Sequence, residues 1–297
     1  MTKSLDQAIQ RRDHILDENT NALRLVDGSG DDIPGLFLDA FADRWLISTR
    51  GEQLPHEVPA WLHSQGKTCY WKRLDQHEKE SPVLVAGPAQ DEAFIARESG
   101  VNYHIQFQAG YSQGIFLDQR LNRIRVREFS KQGMTVLNTF AYTGAFSVCA
   151  ALGGATTTTL DLSQVYLDWA RDNFSANKLD PCDHFFCKGD TFHWLKRFAR
   201  QGRTFDGIIL DPPTFSRDDK GKVFRVEKDY HHLVSLAHAC LAPDGWMLCC
   251  TNCRKLDSRD FSRMIRQGAP GKNVTTLEMP EEYTGEDYLK SVWIDSL

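Results

Sequence analysis

The chain has no run of about 18 apolar residues, the length a helix needs to span a bilayer. Its start, MTKSLDQAIQRRDHIL, has no apolar stretch of the kind a secretory leader carries. Neither membrane spanning nor secretion is expected, and the protein reads as cytoplasmic. An excess of charge of either sign is also missing: 35 Lys and Arg stand against 40 Asp and Glu, a formal net charge of −5. That disfavours a protein that coats nucleic acid by bulk charge and leaves local basic patches open. Paired zinc-type cysteine motifs are lacking too. Of the eight cysteines only Cys250 and Cys253 have C-x-x-C spacing, and no second pair or histidine cluster accompanies them. No metal site is expected, and reduced thiols are the simpler reading. Glycine, finally, is scarce where a phosphate loop would need it. The turn after Val136 and Leu137 holds Gly144 alone, a dinucleotide fingerprint needs three glycines, and no P-loop lysine follows. A diphosphate cofactor is disfavoured, and with it an NAD-dependent oxidoreductase.

What is present is organised around the run VLNTFAYTGAFSVCAALGGATTTTLDL, residues 136–162. Val136 and Leu137 begin an apolar strand, Asn138 to Gly144 turn, Ala145 to Leu152 have helical composition, and Thr156 to Leu160 form a β-branched strand closed by Asp161. In such a βαβ unit the ligand sits beyond the carboxyl ends of the strands, and an acid after the second strand can accept both hydroxyls of a ribose. A nucleoside cofactor without phosphate, such as S-adenosylmethionine, suits a turn with one glycine. The alternative is a Rossmann-like core with no cofactor.

The flanking pattern predicts two domains. Residues 4–18 have the spacing of an amphipathic helix. Short strands follow at Leu23–Val26, Phe37–Leu38, Trp45–Thr49, Cys69–Lys72, Val83–Ala86, Ala93–Ala96 and Val101–Phe107, with one helix near Pro59–Ser64. Residues 1–105 read as a small α+β domain, and 106–297 as an α/β domain. Arg120, Arg123, Arg125 and Arg127 alternate with apolar residues at helical spacing, which gives either a solvated basic face or one that meets substrate phosphates. Beyond the central unit, Ser163 is a plausible cap for a helix whose Val165, Tyr166, Trp169, Ala170 and Phe174 form an apolar stripe, read as core. Strands Phe185–Lys188, Gly207–Leu210 and Gly245–Thr251 alternate with helices at about Phe192–Arg200 and Tyr230–Leu241, and a charged loop spans Ser216–Lys228. Val274–Met279 and Ser291–Asp295 close the chain as an antiparallel hairpin. The expected fold is α/β, a Rossmann-like seven-stranded class I methyltransferase domain preceded by the small α+β domain.

Three acids, Asp161, Asp190 and Asp211, close successive strands and fall along one rim of the sheet. Asp161 would hold the ribose, Asp190 would accept from the adenine amino group, and Asp211 would lie by the methyl group and a target base. Acids at such places also cap the following helix. After Asp211, Pro212 and Pro213 remove two amide donors and leave carbonyl acceptors for a base edge, on which Phe215 could stack.

With these residues in view, the chain resembles the class I S-adenosylmethionine-dependent large-subunit ribosomal RNA methyltransferases, relatives of the bacterial enzymes that make 5-methylcytosine and 7-methylguanosine in 23S rRNA. The resemblance runs over nearly the whole chain: NTNALRLVDGSGDDIPGLFLDAF (19–41), GIFLDQRLNR (114–123), LNTFAYTGAFS (137–147) and FDGIILDPPTFSR (205–217). It implies S-adenosyl-L-methionine as cofactor and 23S rRNA as partner. It also implies that Phe140, Tyr142, Thr143 and Gly144 line the methionine end, and that Leu162 and Thr191 flank the adenine. Ala145 stands where that family often has a second glycine. The cytosine-modifying members carry an N-terminal PUA domain, and here one helix precedes the central domain. RNA docking is then expected to rely on the central domain, the basic helix and the loop Arg217–Lys228, or on a partner subunit, a homodimer included.

The methylated atom stays open at this stage. Cytosine C5 is a poor nucleophile and usually needs a cysteine thiolate to add at C6, for which Cys250 or Cys253 is placed; guanine N7 carries its own lone pair and needs only positioning. The DPPTFS loop (211–216) and the segment TNCRK (251–255) look more similar to the 7-methylguanosine relatives, which carry asparagine where Cys253 stands, and that resemblance tilts the reading slightly towards N7, with both thiols inert. A non-catalytic RNA-binding or assembly factor with the same fold is the competing class.

Overall fold

The computed structural model describes residues 1–75, 80–110, 112–217 and 223–296. The chain forms two compact units, one of Met1–Arg120 with Pro280–Glu286 and one of Leu121–Met279 with Asp287–Leu297. This differs from a division at residue 105: residues 106–120, and a short segment from near the far end of the sequence, fold with the first unit.

The first unit carries a sheet of β1 (Ala22–Asp27), β2 (Leu36–Phe41), β3 (Arg44–Thr49), β4 (Thr68–Arg73) and β5 (Val83–Ala86) in that spatial order. β3 and β4 run parallel, the other neighbours antiparallel, and β6 (Phe94–Glu98) and β7 (Val101–Ile105) form a separate hairpin. The β3 to β4 crossover is α2 (Val58–Ser64), entered through a proline in its first turn. α1 (Thr2–Arg12) ends sooner than its apolar spacing suggests, and its Leu5 and Ala8 share a core with Leu23, Leu25, Ile47, Trp61 and Leu62.

A buried arginine, Arg12, and a partly buried one, Arg120, explain why residues 280–286 belong here. Arg12 donates to the Glu282 carbonyl at 2.7 Å and pairs with Asp31 at 2.9 Å, while Arg120 makes a two-pronged pair with the Glu282 carboxylate at 2.9 and 2.6 Å. The Glu282 side chain is fully buried. Asp27 accepts from the Gly285 amide at 2.8 Å, and a Cβ on Gly30 would come within 2.3 Å of Thr284, so only glycine admits the segment.

The second unit holds a seven-stranded sheet. Its strands are β8 (Thr135–Thr139), β9 (Thr156–Asp161), β10 (Phe185–Lys188), β11 (Phe205–Leu210), β14 (Leu241–Thr251), β15 (Asn273–Leu277) and β16 (Lys290–Asp295), arranged β10-β9-β8-β11-β14-β16-β15. The first five are parallel, and β16 inserts antiparallel between β14 and β15. Strand order reverses between β8 and β11, which opens a crevice at their carboxyl ends. A short hairpin of β12 (Phe215–Arg217) and β13 (Val223–Arg225) replaces much of the charged loop expected at 216–228, whose residues 218–222 lie outside the described residues. The helices are α3 (Arg120–Phe129), α4 (Ala145–Leu152), α5 (Gln164–Ala176), α6 (Thr191–Arg200), α7 (Val226–His238) and α8 (Ser258–Gly268). Among the described residues no helix is long and apolar enough to cross a membrane.

Two helical readings need correction. α3 is not a basic stripe: Arg123 is buried beside Phe146, Arg125 lies over the rings of Phe129 and Trp293, and Arg120 is committed to Glu282. Long aliphatic stems and flat guanidinium groups let arginine serve as packing material, which charge periodicity does not reveal. In α5 the buried residues are Leu167, Ala170, Asn173 and Phe174, while Val165 is 71% exposed. The helix is turned by a residue or so from the predicted face, because buried Asn173 donates to the Thr143 carbonyl at 2.9 Å.

Candidate active site

β8 delivers a turn that ordinary residues enter at some cost. Phe140, Tyr142 and Gly144 all have positive φ, at 52°, 51° and 72°. A Cβ on Gly144 would sit 2.7 Å from that of Ala170, so one glycine supplies both the conformation and the close approach to α5. Ala145 then begins α4, where a second glycine is not needed. Beneath the turn, Ser147 accepts from Asn138 Nδ2 at 2.9 Å and from the Thr159 hydroxyl at 2.8 Å, and the Thr139 hydroxyl donates to the Ile209 carbonyl at 2.8 Å. These buried bonds tie β8, β9, β11 and α4 together where the crevice opens.

Asp161 closes β9 and is held by two amides. Oδ2 accepts from Tyr142 N at 2.8 Å and Oδ1 from Ser163 N at 2.9 Å. Burial raises its pKa, and those backbone donors oppose the shift. A carboxylate has about four acceptor sites, so two amides leave capacity for a diol. Asp190 caps α6, with Oδ1 accepting from His193 N at 2.8 Å. Backbone contacts and ligand binding are compatible in both acids, since Asp161 uses one acceptor site on each oxygen and Asp190 one on Oδ1.

The turn is flanked by rings. Tyr142 meets Tyr166 edge-on at 4.6 Å and Trp169 at 6.3 Å, and Leu162 is 47% exposed beside Asp161. Tyr166 and Trp169, read from the sequence as core, are half-buried partners of the turn. Thr143 is fully buried and Thr191 nearly so, so neither presents an exposed surface at the rim.

On the other side of the switch point, Asp211 is half-buried, Pro212 buried and Pro213 exposed, and Phe215 is 51% exposed with the Arg225 guanidinium 5.7 Å from its ring. Tyr230 was not singled out in the sequence. Its hydroxyl lies 2.9 Å from the Leu210 carbonyl and 3.1 Å from that of Cys250, bridging the last residue of β11 to the end of β14 directly under Asp211. Burial, aided by nearby Cys249, Cys250 and Asp211, pushes its pKa well up and keeps it a neutral donor. The available signal was its place on the inner face of α7 with Leu233, Val234 and Ala237.

Both candidate thiols are inside the protein. Cys250 is fully buried, with its sulfur 3.8 Å from Asn122 Nδ2 and 3.6 Å from Ser291 Oγ. Cys253 is 4% exposed in the core that also holds Phe261, Ile265 and Val292. All eight cysteines are free. The rim thus brings together Asp161, Asp190, Asp211, Leu162 and the 140–144 turn, and leaves Cys250 and Cys253 out.

Comparison with known proteins follows the same line. The model of a family described as S-adenosylmethionine-dependent methyltransferase matches residues 20–292. YwbD of Bacillus subtilis (strain 168) is 35% identical over 296 residues, covering 94% of this chain and 74% of that protein. Ribosomal RNA large subunit methyltransferase I of Enterobacter sp. (strain 638) is 32% identical over 293 residues, covering 93% and 73%. The K/L enzyme of Shewanella pealeana is 35% identical over 225 residues, and the chain spans only 30% of its length. Among solved structures, SMU.776 complexed with SAH superposes with a TM-score of 0.90 at 31% identity, covering 99% of this chain and 80% of that one.

Proposed function

Because the chain belongs to the S-adenosylmethionine-dependent methyltransferase family, we propose that it methylates a base of large-subunit (23S) ribosomal RNA, with guanine N7 favoured over cytosine C5. When bound, the cofactor supplies an electrophilic methyl group. The residues fit it: Asp161 accepts the ribose hydroxyls, Asp190 the adenine amino group, and exposed Leu162 offers an apolar surface to the ring. The strained 140–144 turn, with Phe140, Tyr142, Thr143 and Gly144, contributes backbone to the methionine end.

On the base side, the Asp211 carboxylate and the Pro212 carbonyl accept from the amino edge of the target, and Phe215 stacks on its face. Tyr230 keeps this segment in register by tying Leu210 to Cys250. N7 attacks with its own lone pair and gives up no proton, so the chain need supply only orientation and exclusion of water. The observation that carries the choice is the burial of both thiols: Cys250 faces Asn122 and Ser291, and Cys253 sits in the core. A C5 mechanism would require one of them to reach C6 of the base. The large-subunit substrate is supported by the names of the relatives from Enterobacter and Shewanella. A cytoplasmic location follows from such a substrate.

Mass spectrometry of rRNA nucleosides from a deletion strain, complemented by the purified protein, is the test. Loss and restoration of 7-methylguanosine is expected. Loss of 5-methylcytidine would overturn the N7 assignment, and no change in any rRNA nucleoside would leave the non-catalytic reading standing. Asp211→Ala should abolish transfer while S-adenosylhomocysteine still binds; normal turnover would remove Asp211 from the base side.

A further inference from the structure

A cavity of about 620 Å³ opens beside the rim, between β10, α6, α7 and the β12–β13 hairpin. It falls in the size range of ligand pockets. Its walls are aromatic and fixed. Trp194 donates Nε1–H to the Lys188 carbonyl at 3.2 Å and lies so close over Gly189 that a Cβ there would come within 2.7 Å of its ring nitrogen. Phe192 packs on Phe224 at 5.4 Å and runs nearly parallel to His232 at 6.2 Å, an interplanar angle of 17°. Cations ring the opening: Lys188, Lys196 and Arg197 are exposed, the last with its guanidinium 4.9 Å over Trp194. The acids of the lining are already engaged by backbone, Asp190 by His193 N and Asp229 by Arg225 N at 2.8 Å each.

We propose that this cavity is a second nucleotide subsite, which takes the base and phosphate of a residue adjoining the target in the same RNA strand. Flat aromatic walls with cations at the mouth are the combination that single-stranded nucleic acid uses, with bases on rings and phosphates on Lys and Arg. The cavity shares Asp190 with the cofactor side and begins at Ser216, one residue past Phe215, so a strand whose target base lies at Pro212 and Pro213 enters it without turning back. This inference rests on the proposed action on RNA, which it deepens by stating how the strand is gripped beyond the target base.

Fluorescence anisotropy with a labelled single-stranded rRNA oligonucleotide tests it. In Lys196→Gln/Arg197→Gln, the Kd for RNA should rise about tenfold or more, and the slope of log K against log salt should fall by about 1.4. His232→Ala should weaken RNA binding with no change in salt slope. Affinity for S-adenosylhomocysteine and the melting temperature should stay at wild-type values, because these side chains are exposed. Lys178→Gln/Arg200→Gln, which removes two exposed cations outside the cavity, controls for bulk charge. Variants whose RNA affinity and salt slope match those of the control would overturn the subsite while wild-type methyl transfer to rRNA still stands. A weakened affinity for a free 5′-mononucleotide with unchanged RNA affinity would also overturn it, by assigning the cavity to a small effector. Wild-type protein that binds neither RNA nor methylates it would sink both readings together.

Discussion

The two units hold their fixed acids in opposite ways. In the first, Asp31 and Glu282 are fully buried and answered by arginine. In the second, Asp161 and Asp190 meet backbone amides, and no cation among the described residues is paired with either. A carboxylate matched to a guanidinium has its acceptor capacity filled in a fixed fork. One held by one or two amides is oriented and still able to accept from a ligand. Buried acids paired with arginine mark architecture here, and amide-held acids at strand ends mark the proposed site.

The largest effect should come from breaking the architectural kind. Arg120→Ala leaves the Glu282 carboxylate buried without its partner, and denaturant unfolding should show a loss of about 3–5 kcal/mol. A loss under about 1 kcal/mol would mean the pair behaves like a surface bridge.

Lys72 sharpens the contrast, as a partly buried cation whose Nζ donates to Gln113 Oε1 at 2.9 Å without offsetting the cost of enclosing its charge. Burial lowers its pKa from 10.5 to about 8, outweighing Asp39. Between those values the unfolded chain holds a proton that the folded chain lacks, so stability rises with pH across that window. Lys72→Met should raise stability at pH 7 by about 3 kcal/mol, and the gain should fade between pH 8 and 10.5. Parallel pH profiles of unfolding for the two proteins would refute this.

Asp161→Asn tests the amide-held kind. S-adenosylhomocysteine affinity measured by calorimetry should fall about 10- to 100-fold, roughly 1.4–2.7 kcal/mol, with little change in melting temperature. The wild-type affinity should also weaken on acidification at a higher pH than an ordinary carboxylate would give, because burial raises this group's pKa. The smallest effect belongs to Cys253→Ala. Methyl transfer should persist at the wild-type rate, with about 1 kcal/mol lost to a small core cavity; an inactive variant would restore the thiol mechanism.

Much of this was legible beforehand. The alternation of apolar strands with helices, the acids at strand ends and the closing antiparallel pair were read directly, since each is written in local periodicity and turn residues. α8 was not read, although the Asp257 cap and the spacing of Phe261, Met264 and Ile265 were there to show it. The face of α5 was not. It depends on Asn173 reaching the Thr143 carbonyl, and a polar residue at a core position disguises the stripe.

By itself, then, the sequence determined the order of elements, the single glycine of the cofactor turn and the rim of acids, because hydrophobic period and backbone preference act over a few residues. Tertiary structure alone decided which charges are satisfied and by what. Glu282 finds Arg120 across 162 positions of sequence, Arg123 and Arg125 of α3 pack against rings while Arg127 stays exposed, and two thiols with the spacing of a reactive pair are enclosed. Partners so far apart in sequence are chosen by the packing of whole elements, and no local pattern records that choice.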